Sequence, residues 1–188
     1  MMRRSRVIGL AVGSVLALGI SQAVADAAPA HSAAASSARP ASTTYDMYVT
    51  LYGALDNTPP GSTDIAYPVI HSQAGGTGTY DDPVTFATDK DELPVGTKVY
   101  YPYLKKYFIM EDDCTECDQD WTGQGPDGGP NYRHIDLWAG DSENQAILSC
   151  EDSLTQSGQV PVLVDPPSDE AVDTTPIFDT STNQCYTP

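Results

Sequence analysis

His134-Ile135-Asp136-Leu137-Trp138-Ala139-Gly140 is the stretch on which the fold turns. It is a short apolar and aromatic run with one carboxylate set inside it, and a glycine closes it. Such a run reads as a strand rather than a helix. Upstream, Phe108-Ile109-Met110-Glu111-Asp112-Asp113 repeats the plan, with apolar residues running into carboxylates. Further back come Ala87-Thr88-Asp89 and Leu93-Pro94-Val95-Gly96-Thr97-Lys98-Val99-Tyr100. An acidic residue at a strand end sets a carboxyl at the mouth of a sheet, where partial burial raises one pKa while a neighbour stays ionised.

Nearer the N-terminus, Asp46–Leu51 alternates polar with apolar and aromatic residues and ends at Gly53, a strand pattern. Further strands are expected at 65–71, 84–87, 98–103 and 107–110. Asp56-Asn57-Thr58-Pro59-Pro60-Gly61, Gly75-Gly76-Thr77-Gly78 and Pro94-Val95-Gly96-Thr97 are turns or loops. One helix is predicted over Ser142–Leu154, from Ala146, Ile147, Cys150 and Leu154 at spacings of three and four. Short strands punctuated by Gly and Pro indicate a mainly β fold, a small barrel. Residues 161–188, rich in Pro and Asp, are expected to wrap it as an extended tail.

The chain has 188 residues and a formal charge of −17, which excludes a nucleic-acid binder with a basic footprint and an electrostatic anchor on anionic lipid. Arg3, Arg4 and Arg6 precede the apolar stretch Val7–Ile20, and small residues follow at Ala23-Val24-Ala25 and Ala28-Pro29-Ala30. That is the pattern of a signal peptide over residues 1–30, and it predicts a secreted, extracellular protein with no membrane span. Its removal leaves 6 basic against 25 acidic residues, a charge of −19. Residues 31–44, largely Ala, Ser, Thr and Pro, read as a flexible leader, so the folded domain is expected over 45–188.

Four cysteines outside the cell suggest two disulfides, with three possible pairings. Cys114–Cys117 and Cys150–Cys185 are the expected pairs. A redox Cys-x-x-Cys belongs to a βαβ pattern, which this sequence lacks, and a zinc site needs a second matched pair.

The order Asp89, Pro94-Val95-Gly96-Thr97, Asp112 and His134-Ile135-Asp136-Leu137-Trp138 resembles the three-aspartate double-psi β-barrel domain of secreted cell-wall enzymes, such as lytic transglycosylase A. More distantly it is similar to family 45 glycoside hydrolases and expansins. The resemblance covers about 55 residues directly. It departs from the family at Asp112-Asp113-Cys114-Thr115-Glu116-Cys117, where Asp is usually followed by Thr or Val and two glycines, and in the Gly- and Asp-rich stretch 118–132. It implies a six-stranded double-psi barrel that cleaves cell-wall polysaccharide, most readily peptidoglycan, as a muramidase or lytic transglycosylase. Asp136 would be the general acid and Asp112 the second carboxylate. Thr50, Tyr52, Asp89, His134, Trp138 and Tyr101 would contact substrate, with Tyr100, Tyr103 and Trp121 as further stacking candidates. No cofactor or metal is expected, and the partner would be the polysaccharide, met by a monomer.

Plainer readings stand beside these. Asp89 suits a turn before Pro94, and the Glu111–Asp120 charges suit a solvated loop or a calcium site without EF-hand spacing. The tyrosine run suits a packed barrel surface. A family-45-type β-glucanase remains an alternative, as does a non-catalytic barrel that loosens walls like an expansin or inhibits a protease. Phosphate-loop, Gly-x-Ser-x-Gly and His-Glu-x-x-His motifs are absent.

Overall fold

The computed structural model describes residues 42–126 and 128–188. The expected signal peptide and nearly all of the expected leader lie outside the described residues.

The strands are β1 (Thr43–Tyr52), β2 (Val84–Ala87), β3 (Lys98–Tyr101), β4 (Lys106–Asp112), β5 (His134–Trp138) and β6 (Val160–Val164), closing into a barrel in the order β1-β5-β2-β4-β3-β6. β1 runs parallel to β5 and β2 parallel to β4; the other neighbours are antiparallel. Alternation along β1 sends Met47, Val49 and Leu51 inward, where they meet Ile135 and Leu137 of β5, Phe86, Phe108 and Met110 in one core. Outside the barrel lie α1 (Thr115–Thr122), α2 (Ala146–Leu154) and the small hairpin β7 (Phe178–Asp179) with β8 (Gln184–Cys185).

Four sequence expectations are corrected. The leader ends sooner, because Thr43 and Thr44 already pair with Val164 and Leu163. Residues 65–71 form no strand: Pro68 interrupts them, and the amides of Ala66, Val69, Ile70 and His71 bond to the side chains of Asp112 and Glu111 instead of a ladder. The tail begins later, since Val160–Val164 is a barrel strand between β1 and β3. Among the described residues there are two helices rather than one. The expected helix starts at Ala146, because Ser142 and Asn144 spend their side chains capping the amides of Asn144 and Ala146.

The second helix, α1, has almost no apolar periodicity. Cys114 caps it through Sγ on the Cys117 amide at 3.1 Å, Glu116 and Asp118 complement its first turn, and Gly123 ends it at φ 78°.

From residue 166 onward the chain wraps the outside of β3 and β4. Tyr107 and Tyr100 donate from their hydroxyls to the carbonyls of Pro167 and Ala171, and buried Lys106 donates to those of Asp173 and Thr175. Cys114–Cys117 and Cys150–Cys185 are both disulfides, as the sequence suggested. They indicate an oxidising compartment. Among the described residues, no helix is long and apolar enough to cross a membrane. The bond across 35 residues is expected to stabilise the fold by roughly 3–4 kcal/mol through the unfolded chain. Replacing both Cys150 and Cys185 by Ser should lower stability by about that amount in urea melts, whereas the same change at Cys114 and Cys117 should cost about 2 kcal/mol. Equal losses would contradict the loop-entropy account.

Candidate active site

Parallel pairing of β1 with β5 sets Tyr48 beside His134, Thr50 beside Asp136 and Tyr52 beside Trp138. Paired residues share a face, so these six form one outward stripe while Val49, Leu51, Ile135 and Leu137 fill the core. Thr50 donates from Oγ1 to Asp136 Oδ1 at 2.7 Å.

Strand β2 lies between β5 and β4, and its Ala87 pairs with Asp136 on one side and Asp112 on the other. A bulge makes the second pairing possible. Phe86 faces Met110 but Ala87 faces Asp112, so Glu111 is the extra residue. Regular pairing would set Glu111 opposite Ala87; the bulge turns Asp112 there instead. Two inter-strand spacings separate the Asp112 and Asp136 backbones, about 10 Å.

Both aspartates, with Ala87 between them, line a cleft of about 560 Å³. Asp56, Asp64, Asp113 and Glu116 join them, and none of the described lining residues is cationic. Asp136 is half-buried and its pKa is raised to about 7. Burial is the main cause; the Thr50 hydrogen bond opposes it, and Asp56, Glu116 and Asp112 add to it. A carboxyl with that value is poised to hold a proton near neutrality and give it up.

Asp112 is buried and fixed on both oxygens. Tyr52 donates its hydroxyl to Oδ2 at 2.8 Å, and the amides of Ala66 and Asp113 donate to Oδ1, each at 2.9 Å. Burial raises its pKa, and these donors pull the other way.

Behind Asp136 stands a buried chain. Thr50 Oγ1 is 2.8 Å from His134 Nε2, and His134 Nδ1 is 2.9 Å from Asp120 Oδ2 on α1. The Glu92 carboxylate accepts from the His134 amide at 3.1 Å, and burial lifts its pKa to about 7. Glu151 of α2 is buried, and its pKa is lifted to about 8 by burial first, then by Asp56 and Asp136.

A second cluster serves the fold. Fully buried Glu111 accepts from the amides of Val69, Ile70 and His71 on Oε1, and from Thr85 Oγ1 and His71 Nδ1 on Oε2. His71 Nε2 reaches Asp82 at 3.1 Å. Burial pushes Glu111 upward, yet the His71 contacts outweigh it and hold its pKa below the usual range. The hydrogen bond from His71 does the same for Asp82. For His71, burial works downward and is overcome by Asp82 and Glu111, so its pKa is raised.

These shifts fix the pH dependence of stability. Asp136, Glu92 and Glu151 titrate higher in the folded chain than in the unfolded one. Their stabilisation is complete below an ordinary carboxyl pKa near 4 and is lost as pH rises toward 8. Raised His71 acts in the same direction from about pH 6.5 upward. Glu111 and Asp82, both lowered, stabilise above about pH 4 and fail in acid. Thermal melts should therefore peak in mildly acidic buffer and fall steadily from pH 5 to pH 8. A melting temperature that climbs over that range would contradict the assignment.

Of the residues singled out from sequence, Asp136, Asp112 and Tyr52 line the cleft, whereas Thr50 and His134 reach Asp136 through hydrogen bonds without lining it, and His134 is buried away from any substrate. Three others are not brought to the cleft. Asp89 is buried in a turn, where it accepts from the Asp91 amide at 2.6 Å. Trp138 is buried edge-on against Tyr52, with ring centroids 5.2 Å apart, and lines a separate cavity. Tyr101 lies in the core at 1% exposure, so it offers no stacking face. Asp120, Asp56 and Glu151 were missed. For Asp120 the usable signal was the Gly123 stop after an acidic stretch capped at Cys114. Among the described residues, no group of three or more His, Cys, Asp or Glu is arranged to hold a metal ion.

Fold and site together define a small acidic β-barrel with paired strand-borne carboxylates in one cleft. The chain belongs to the family described as the DDB_G0273701 N-terminal domain, whose pattern matches residues 44–186. It is 46% identical over 138 residues to a Dictyostelium discoideum protein named "Uncharacterized protein DDB_G0273701/DDB_G0273221". The match takes in 73% of this chain and 58% of that protein, so the chain spans little more than half of its relative's length. No solved structure matches.

Proposed function

We propose that this protein is a secreted glycosidase that cleaves cell-wall polysaccharide, with Asp136 as general acid and Asp112 as second carboxylate. One observation carries the reading: the two carboxylates flank Ala87 in one open cleft, and Asp136 alone of the pair has a side chain free enough of fixed donors to hold and release a proton. Asp136 would protonate the glycosidic oxygen as the bond to the anomeric carbon breaks. Asp112, with Tyr52, would orient a water or stabilise the oxocarbenium-like state. The two parallel strand pairs are compatible with the double-psi barrel that the motif order suggests. Two disulfides and the signal-like first 30 residues support secretion.

The cleft chemistry also favours a second reading, the β-glucanase. Six acidic side chains and, among the described residues, no cation line the cleft, which suits a neutral glucan better than peptidoglycan with its anionic substituents. Salt separates the two. Turbidity loss from peptidoglycan should rise as salt increases to about 0.15 M, where the Debye length is about 8 Å. Reducing-sugar release from mixed-linkage glucan should stay flat. Failure to cleave either polymer at any salt would refute the glycosidase reading.

A further inference from the structure

We propose that Asp120, His134 and Thr50 form a proton wire that stores a proton on the imidazole and passes it to Asp136; this rests on the general-acid reading of Asp136. The wire is continuous at 2.9, 2.8 and 2.7 Å from Asp120 Oδ2 through His134 and Thr50 Oγ1 to Asp136 Oδ1. Asp120 and His134 are buried, at 1% and 3% exposure. A Cβ on Gly125 would overlap Asp120 Oδ1, so the glycine lets the loop close over the wire's inner end.

With Asp120 as a carboxylate, which accepts only, proton counting on these contacts leaves two arrangements. Thr50 has one hydroxyl proton, and a carboxylate accepts only. In the first arrangement Asp136 is ionised. Thr50 donates to it and accepts from Nε2–H, while Nδ1–H donates to Asp120, so the imidazole carries both protons. In the second, Asp136 is the acid and donates to Thr50. Thr50 then donates to a bare Nε2, and Nδ1–H still donates to Asp120. Both hold the same number of protons and need no heavy-atom movement. Passing from first to second breaks the Nε2–H and the old Oγ1–H bonds and forms a new Oγ1–H and an Oδ1–H bond. The imidazolium charge becomes a neutral acid at the cleft. Substrate that displaces water from Asp136 favours the neutral acid, so binding itself draws the proton forward. Spent, the wire is one proton short and refills from solvent before the next turnover.

The charged groups that bear on this equilibrium are Asp56, Asp112, Glu116 and Glu151 around Asp136, and Glu92 with Arg133 beside His134. All but Arg133 are acidic, which favours keeping the shared proton in the wire.

A substrate-free titration tests the wire. In protein labelled with 15N at histidine and 13C at aspartate carboxyls, His134 Nε2 and Asp136 Cγ should titrate as one coupled event, with Nδ1 protonated throughout. Thr50→Val should separate the two midpoints by about one pH unit or more, and Thr50→Ser should rejoin them. Unchanged midpoints in Thr50→Val, or loss of the Nδ1 proton before the Nε2 proton, would overturn the wire. An active Asp136→Asn enzyme would instead remove the general-acid reading, and the wire's purpose with it. Should Thr50→Val fail to fold, His134→Gln serves. It must lower the alkaline limb of the pH–rate profile while keeping the acid plateau; a uniform loss at every pH would mark a merely structural histidine.

Discussion

Asp136→Asn is expected to lower polysaccharide cleavage by about 10²–10⁴-fold, the usual contribution of a general acid. The amide oxygen still accepts from Thr50 Oγ1, so β1 and β5 keep their registration and the cleft keeps its shape. What disappears is the proton. Stability should move the opposite way. Burial holds the wild-type carboxyl at about 7, so ionising it at pH 8 costs free energy that the amide does not. At that pH the variant should melt at or above the wild-type temperature while being nearly inactive. Loss of activity with a lower melting temperature would point to a structural carboxylate. Full activity would remove Asp136 from the chemistry altogether.

Glu111→Ala should be the most damaging substitution outside the core. It strands a half-buried imidazole, a buried threonine hydroxyl and three backbone amides that the carboxylate now gathers. Removing one member of a buried charged pair costs about 3–5 kcal/mol. At about 2–4 °C per kcal/mol for a domain of this size, the melting temperature should fall by roughly 6–20 °C. The effect also reaches the site. Glu111 is the bulged residue that turns Asp112 toward the cleft, and the loop it holds supplies the Ala66 amide to Asp112. Protease sensitivity should appear first between residues 65 and 74. A loss below 1 kcal/mol in urea melts would mean that water replaces those contacts freely.

The barrel was legible where alternation is strict. Asp46–Leu51 and His134–Trp138 show their inward residues directly, and with them the outward row of Thr50, Tyr52 and Asp136. Asp112 was legible as a strand end, although the bulge that aims it is a pairing property with no local signature. Strand β6 was hidden by Pro161, which reads as tail yet sits in a ladder position opposite Asp46. The stretch 65–71 misled in the opposite sense: its apolar residues suggested a strand, but buried carboxylates captured its amides. Two of the stacking candidates, Tyr101 and Tyr100, offer no exposed face: Tyr101 lies in the core, and Tyr100 is buried with its hydroxyl bonded to Ala171 of the C-terminal segment. Asp120 was hidden for a different reason. Helix α1 buries only Cys117 and Asp120, so it lacks the apolar stripe by which short helices are recognised, and its inward carboxylate read as part of a solvated acidic run.

Mass spectrometry of soluble material released from purified cell walls shows whether this cleft breaks a glycosidic bond through Asp136. Wild-type protein should release oligosaccharides whose masses are whole multiples of the glycan repeat, with reducing or anhydro ends, and Asp136→Asn should release about 10²–10⁴-fold less. Walls that bind the protein yet release no glycan fragments, or equal release by both proteins, would contradict that expectation.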